Sequence, residues 1–347
     1  MADFSSALYL GLRHPAWALA PWSALTLGRP AALQEPPGAA ALAAQLAALQ
    51  GCQAATLQVS TMQLFWDLFG MLAAEPLALL VDGGAYPIAR WGAERAVARG
   101  LPQQVFRHGA VDAAAALARQ WSRRGRRPLI LADGYSPGTA GAPPLARLAR
   151  IAGEGGGYLV LDDTQALGVL GRAGGGSLRR HGVAGPHVLV GASLAKAFGA
   201  PLAVLAGSAE LVARFEAHSQ TRRHCSPPSL AAIAAGQRAL RINRACGDGL
   251  RRSLWRVVEQ FRRALAARGI ECRGGQFPVQ TVRLAEGVDA AALQAALARD
   301  GVEAVAQMTE GGAALSFLLR ADHRPQDIEQ AVAALEQQLR RQHESAI

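Results

Sequence analysis

The sequence predicts an α/β fold: a large domain with a mainly parallel sheet covered by helices on both faces, then a smaller C-terminal α+β domain. Three observations predict it. Short, unbroken apolar runs recur between about residues 54 and 208. Ala/Leu/Arg-rich segments with helical spacing separate them. After residue 228 the alternation gives way to one long helical stretch and a few strand-like runs. Strands buried on both faces read as continuous apolar runs, and strands alternating with amphipathic helices build parallel sheets.

The elements follow in order. "AATLQVS" (54–60) precedes the helical "TMQLFWDLFGMLAA", and "LALLVD" (77–82) precedes "PIARWGAERAVARG". "QQVFRH" is followed by "VDAAAALARQW", and "PLILADG" (128–134) by "PPLARLARIAGEG". Then come "YLVLDD" (158–163), "HVLVGAS" (187–193) and "LAVLAGS" (202–208). A long helix runs from the "SLAAIAAG" segment to about 268, with Leu254, Val257, Val258, Phe261 and Leu265 on one face. "FPVQTVRL", a helix from about 288, "VEAVAQM", "AALSFLLR" and a helix from about 324 complete the chain. The expected division is 1–50 as an N-terminal segment, 51–228 as the large cofactor-binding domain, and 229–347 as linking helix plus small domain.

Composition narrows the function. The formal charge is +10, yet the arginine-dense "WSRRGRRP" falls where a solvated loop is expected, and the arginines of 250–269 line the polar face of a helix. No zinc spacing, recognition helix or aromatic platform accompanies them, so nucleic acid is not expected as a partner. No uncharged apolar run reaches the roughly 18 residues of a membrane span. The start "MADFSSALYLGLRHP" lacks a secretory pattern, and Cys52, Cys225, Cys246 and Cys272 show no metal spacing. A cytoplasmic protein without a bound metal is the expectation. The Gly-rich "GEGGG" and "GRAGGG" read as turns, without the G-x-G-x-x-G dinucleotide spacing.

Of the 36 Lys plus Arg, one is lysine, Lys196 in "GASLAKAFGAPLAVLAGS". Arginine serves wherever a surface cation is needed, but only an amine can lose its proton and act as a nucleophile. Asp162 and Asp163 close one strand, Ser193 closes the next, and Ser60 with Thr61 stands between a strand and a helix. Singly, these residues read as caps and turn formers. Together, at the carboxyl edge of a parallel sheet, a lysine, a carboxylate and a helix N-terminus supply what pyridoxal phosphate requires: an amine, a partner for its ring nitrogen and a phosphate cradle.

Several segments also resemble one family in the same order along the chain. "YLVLDDTQALGVLGRAGGGSL" is similar to the "DDAHGxGVLGxxGRG" segment of the α-oxoamine synthases, which are pyridoxal-phosphate enzymes, and "GASLAKAFGAPLAVLAGS" is similar to their "GTLSKAFGxxGGxxAGS". "FSSALYLGLRHP" resembles "FSSNDYLGLSxHP", and "AALSFLLRADHRPQDIEQAVAAL" follows their terminal strand and helix. The resemblance implies the fold type I aminotransferase architecture and a homodimer with active sites at the subunit interface. It makes Lys196 the Schiff-base lysine and Asp162 the partner of the ring nitrogen. Ser193 and the turn Ser60-Thr61-Met62 fall at phosphate-contacting positions. Tyr86 takes the place of a ring-stacking histidine, and Gln165 that of the histidine of "DDAH". Ser136 approximates the serine of "FSMDG". His224 and Ser226, in "HCSPP", match a segment that reaches the phosphate from the other subunit. Ser316 stands where the family's carboxylate-binding arginine falls, and Arg320 points to the same face of that strand four residues on.

The resemblance implies a transferase that condenses an amino acid or amine with an acyl thioester. An aminotransferase would use the same lysine and aspartate. A non-catalytic homologue acting as a binding or regulatory protein would suit the substitutions at Tyr86, Gln165 and Ser316, but not retention of the sole lysine.

Overall fold

Continuous apolar runs become the inner strands of a seven-stranded sheet in the computed structural model, which describes residues 1–137, 143–309 and 312–345. The chain opens with β1 (Ala2–Asp3), an irregular stretch and α1 (Ala39–Gln50). Strands and helices then alternate: β2 (Ala54–Gln58), α2 (Thr61–Leu72), β3 (Leu77–Asp82), α3 (Pro87–Ala98), β4 (Gln103–Phe106) and α4 (Val111–Ser122). Next are β5 (Arg127–Asp133), α5 (Leu145–Glu154), β6 (Tyr158–Asp162), α6 (Gly176–His181), β7 (Val188–Ser193) and β8 (Ala203–Gly207). Two further helices, α7 (Ala209–His218) and α8 (Gln220–His224), lead to α9 (Leu230–Ala266). The remainder is β9 (Val279–Arg283), α10 (Ala290–Arg299), β10 (Val302–Glu303), β11 (Val305–Thr309), β12 (Gly312–Leu318) and α11 (Pro325–Ser345).

The large sheet has the order β2-β8-β7-β6-β5-β3-β4. β3 to β7 pair in parallel, whereas β8 runs antiparallel to both β7 and β2. β2 therefore runs with the parallel strands, and the carboxyl ends of β2, β3, β5, β6 and β7 share one edge. Leu64, Phe65 and Phe69 of α2, Ala89 and Ala93 of α3, and Phe215 of α7 cover one face. Val111 and Ala114 of α4, Leu145 and Leu148 of α5, and Leu178 of α6 cover the other. With both faces buried, the inner strands carry no alternation, which is why they were legible as runs. Gly92 lets α3 lie against α2, since a Cβ there would come within 2.5 Å of the Phe65 Cβ.

The small unit is built on the antiparallel sheet β11-β12-β9, with β1 pairing in parallel to β10. Its core includes Phe4, Phe261, Leu297, Phe317 and Leu335.

The division differs from the expected one. One unit holds Met1–Leu12, Pro137 and the chain from Cys246 onward; the other holds Arg13–Ser136 and continues from 143 to Ala245. The composition shift at 228 marks the start of a helix, and the unit boundary falls inside that helix. Residues 1–12 join the C-terminal unit because β1 pairs with β10. The expected single strand 302–308 is two, β10 and β11, interrupted at Ala304. α1 falls inside the expected N-terminal segment, where "AAALAAQLAALQ" has high helix propensity but little amphipathic contrast. No helix among the described residues is long and apolar enough to cross a membrane.

Candidate active site

Asp162, the last residue of β6, is 5% exposed. Its carboxylate accepts the Thr164 N–H at 3.0 Å, while the Thr164 hydroxyl accepts the Ser193 N–H at 3.0 Å. Thr164 thus ties the end of β6 to the end of β7. Lys196 lies in the turn from β7 to β8. Leu194 N–H donates to the Leu202 carbonyl at 2.8 Å, Ala200 N–H to the Leu194 carbonyl at 3.1 Å, and Ala195 N–H to the Ser193 hydroxyl at 3.2 Å. The half-buried Lys196 places Nζ 5.9 Å from the centroid of the Tyr86 ring, which is itself 53% exposed. Burial holds the Lys196 amine below the usual lysine range, against the opposing charges of Asp162 and Asp133. Burial raises Asp162 above the usual carboxylate range, with Thr164 and Lys196 opposing.

Asp133 is a site residue that the sequence reading passed over. It ends β5 and pairs in register with Asp162. Its Oδ1 accepts the Tyr86 N–H at 3.0 Å, and its Oδ2 accepts the Ser136 hydroxyl at 3.4 Å. Ser136 also donates to the Gly84 carbonyl at 3.1 Å. Asp133 and Ser136 therefore hold the loop that presents Tyr86. Burial, then the charge of Asp162, pushes Asp133 well above the usual carboxylate range. A signal was available: "LILAD" ends as "YLVLD" does, with an acid where the apolar run meets the carboxyl edge.

Asp163, beside Asp162, is fully buried, and its carboxylate accepts the Ser177 N–H at 3.0 and 3.2 Å. Gly134 and Gly176 make its room, since a Cβ at either would approach a carboxylate oxygen to 2.0 or 1.9 Å. Burial pushes its pKa up to about 7. An acid whose folded pKa exceeds its unfolded value binds protons preferentially in the native state, so its ionisation costs stability as pH rises toward 7. Asp163→Asn is expected to flatten the decline in thermal midpoint between about pH 4 and about pH 7, measured by calorimetry. An unchanged decline would assign it to other groups.

Ser60 caps α2, accepting the Gln63 N–H at 3.3 Å, and Leu64 N–H closes onto the Ser60 carbonyl at 3.1 Å. The amides of Thr61 and Met62, in the first turn, remain available to an anion at the sheet's carboxyl edge. Gln165 lies half-buried in the turn after β6. His224 and Ser226 are exposed around the end of α8.

The two substrate candidates belong to the other unit. The Ser316 hydroxyl is buried against the Thr281 hydroxyl at 2.7 Å and accepts from Gln307 Nε2 at 2.6 Å. The expectation that Arg320 shares a strand face with Ser316 is corrected: β12 ends at Leu318. Arg320 is buried instead, donating to the Asp3 carboxylate at 2.7 Å, the Asp3 carbonyl at 2.8 Å and Asp322 at 3.1 Å. Its guanidinium secures the N-terminal strand.

A mostly parallel seven-stranded sheet with a lysine turn beside its one antiparallel strand, and acids at neighbouring strand ends, defines the fold type I aminotransferase architecture. The chain belongs to the aminotransferase class I and II family, whose model matches residues 9–335. It is 36% identical over 241 residues to 8-amino-7-oxononanoate synthase from Alkalilimnicola ehrlichii, a match covering 67% of this chain and 60% of that relative. The matched region thus spans three fifths of the relative's length. The fold is shared with 8-amino-7-oxononanoate synthase from Francisella tularensis at TM-score 0.77, 17% identity and 98% of both chains. It is also shared with a serine palmitoyltransferase variant from S. paucimobilis with bound PLP–myriocin aldimine, at TM-score 0.86 and 16% identity, covering 98% of this chain and 87% of that one.

Proposed function

We propose that this chain is a pyridoxal-phosphate-dependent transferase of the α-oxoamine synthase type, condensing an amino acid with an acyl thioester. The observation that carries the reading is Lys196 Nζ lying 5.9 Å from the Tyr86 ring centroid, with the buried acids Asp162 and Asp133 acting on its charge. These residues fit the cofactor. Lys196 would anchor it through its amine, Asp162 would face its ring nitrogen, and Tyr86 would supply a π-face. The amides of Thr61 and Met62, with Ser60 and Ser193, would hold its phosphate, and Gln165 and Ser136 would offer hydrogen bonds near its rim. When bound, pyridoxal phosphate supplies an electron sink for charge developing at the substrate α-carbon.

The protein's share is positioning and proton transfer. Burial favours the neutral amine of Lys196, so Nζ can take a proton from the substrate α-carbon and return one later. Burial raises Asp162, so a ring cation set against it would be what favours its negative charge. Asp133 accepts the Tyr86 N–H, so the backbone that presents the aromatic ring is anchored before a ligand arrives. Exposure of Tyr86 fits a homodimer with active sites at the subunit interface, the arrangement we infer, in the cytoplasm.

Ser316 sits in a hydroxyl network and Arg320 is held by Asp3 and Asp322, so both substrate candidates are engaged within the protein and neither supports a carboxylate clamp. That observation keeps transamination as a second reading. The test adds pyridoxal phosphate to the full chain and follows visible absorbance across a panel of amino acids and amines, with and without acyl thioesters. Condensation releases free thiol and carbon dioxide only when both substrates are present. A keto acid formed without thioester would favour the second reading, and no spectral response to any amine would overturn both.

A further inference from the structure

The turn that carries Lys196 has a backbone acceptor that its own hydrogen bonds do not use. Leu194, Gly199 and Ala200 close the turn onto the carbonyls of Leu202, Lys196 and Leu194. The carbonyl of Phe198 is met from outside, by Nε2 of His14 at 2.8 Å. Around it the turn is tightly held. Ala197 and Phe198 are buried, and a Cβ on Gly168 would come within 2.6 Å of the Ala197 Cβ.

His14 is oriented in its turn by α9. Arg238 Nη1 lies 3.1 Å from His14 Nδ1 and donates to the Arg13 carbonyl at 2.9 Å. A guanidinium carries donors only, so Nδ1 must be the acceptor in that contact. The ring proton of neutral His14 is therefore on Nε2, where it is donated to the Phe198 carbonyl. Both hydrogen bonds need the same tautomer, and each neighbour enforces it.

We propose that Arg238, His14 and the Phe198 carbonyl form a relay that positions Lys196, with His14 as a positioning residue for the amine two residues before Phe198. The proposal rests on the reading of Lys196 as the cofactor-binding amine. A buried carbonyl deprived of its donor must find another partner, and the turn can do that only by shifting the peptide next to Ala197 and Lys196. The relay also requires neutral His14, because a proton on Nδ1 would face the Arg238 guanidinium. Burial lowers the His14 pKa, the Phe198 carbonyl opposes, and the charge of Arg238 lowers it further. Arg238 is the charged group facing the ring, and Arg13 is its charged neighbour along the chain. The relay is thus complete above the His14 pKa and lost as pH falls through it.

The experiment measures the rate at which borohydride fixes pyridoxal phosphate on Lys196, from pH 5 to about pH 8, in the wild type, His14→Phe, His14→Gln and Arg238→Met. Glutamine keeps an N–H near the Nε2 position and does not titrate. His14→Phe is expected to slow capture about tenfold, the scale of one lost buried hydrogen bond. His14→Gln should restore it to within about twofold and remove the acid-side loss attributable to His14. Arg238→Met should move that loss to higher pH. Capture by His14→Phe at the wild-type rate would overturn the relay, as would an equal defect in His14→Gln. Long-range ¹H–¹⁵N spectra of the cofactor-free chain give an independent readout: the relay requires the proton on Nε2, and an Nδ1–H tautomer contradicts it. Should His14→Phe not fold, the Arg238→Met shift and the tautomer decide. A wild type that takes no cofactor on Lys196 would overturn the reading of the site, while the tautomer would still decide whether the relay exists.

Discussion

Lys196→Arg is expected to leave a folded protein that holds no pyridoxal phosphate after borohydride treatment and denaturation. The two side chains share a charge and differ in chemistry, since the guanidinium stays protonated and does not add to an aldehyde. Retaining the cation also matters to the fold. Lys196 opposes the upward push that burial exerts on Asp162, and it carries opposite charge to Asp133. Lys196→Ala removes both functions, so its acids should titrate at still higher pH, whereas Lys196→Arg removes only the reactive amine. Turnover should fall by about 10³-fold or more in both variants, since they lose the covalent anchor and the proton carrier together. Steady-state rates and absorbance after dialysis check this, and a Lys196→Arg protein retaining bound colour and activity would contradict it.

Asp162→Asn is expected to divide function from stability. Asparagine has nearly the same shape and keeps an oxygen to accept the Thr164 N–H, so the tie between β6 and β7 survives. The negative charge does not. Breaking a buried charge pair costs about 3–5 kcal/mol, so kcat should drop about 10²- to 10⁴-fold in protein saturated with cofactor. Stability of the cofactor-free chain should move in the other direction. The folded pKa of Asp162 is raised, so the native state binds its proton more tightly than the unfolded state does. Stability from this group is greatest at low pH and falls as pH rises through the folded pKa. The amide escapes that penalty, and the variant should melt no lower than the wild type at pH 8. Calorimetry beside steady-state kinetics separates the two effects. A large loss of thermal stability without a loss of kcat would give Asp162 a structural role instead.

Much of the fold was legible because its inner strands are buried on both sides. "LALLVD" is β3 residue for residue, and "YLVLD" is β6. Elements that depend on distant partners were less visible. β1 is two residues long and exists because it pairs with β10, some three hundred residues away. Arg320 looked available from its own neighbourhood, yet its partner Asp3 lies 317 positions earlier. The site divides along the same line. Lys196, Asp162 and Tyr86 stand out because each sits at a strand end or in the turn after one. Asp133 carries the same mark, but it becomes conspicuous only when β5 and β6 are seen to be neighbours in register. His14 and Arg238 carry no local signal for their contact. The 224 positions between them are closed by the fold alone.

Peptide mapping by mass spectrometry tests the central claim most directly. The full wild-type chain is incubated with pyridoxal phosphate, reduced with borohydride and digested. With one lysine in 347 residues, the assignment is unusually clean. The expected result is a single phosphopyridoxyl group on the peptide containing Lys196, absent from Lys196→Arg. Labelling at the N-terminal amine alone, or no labelling, would contradict the assignment of Lys196 as the cofactor-binding residue.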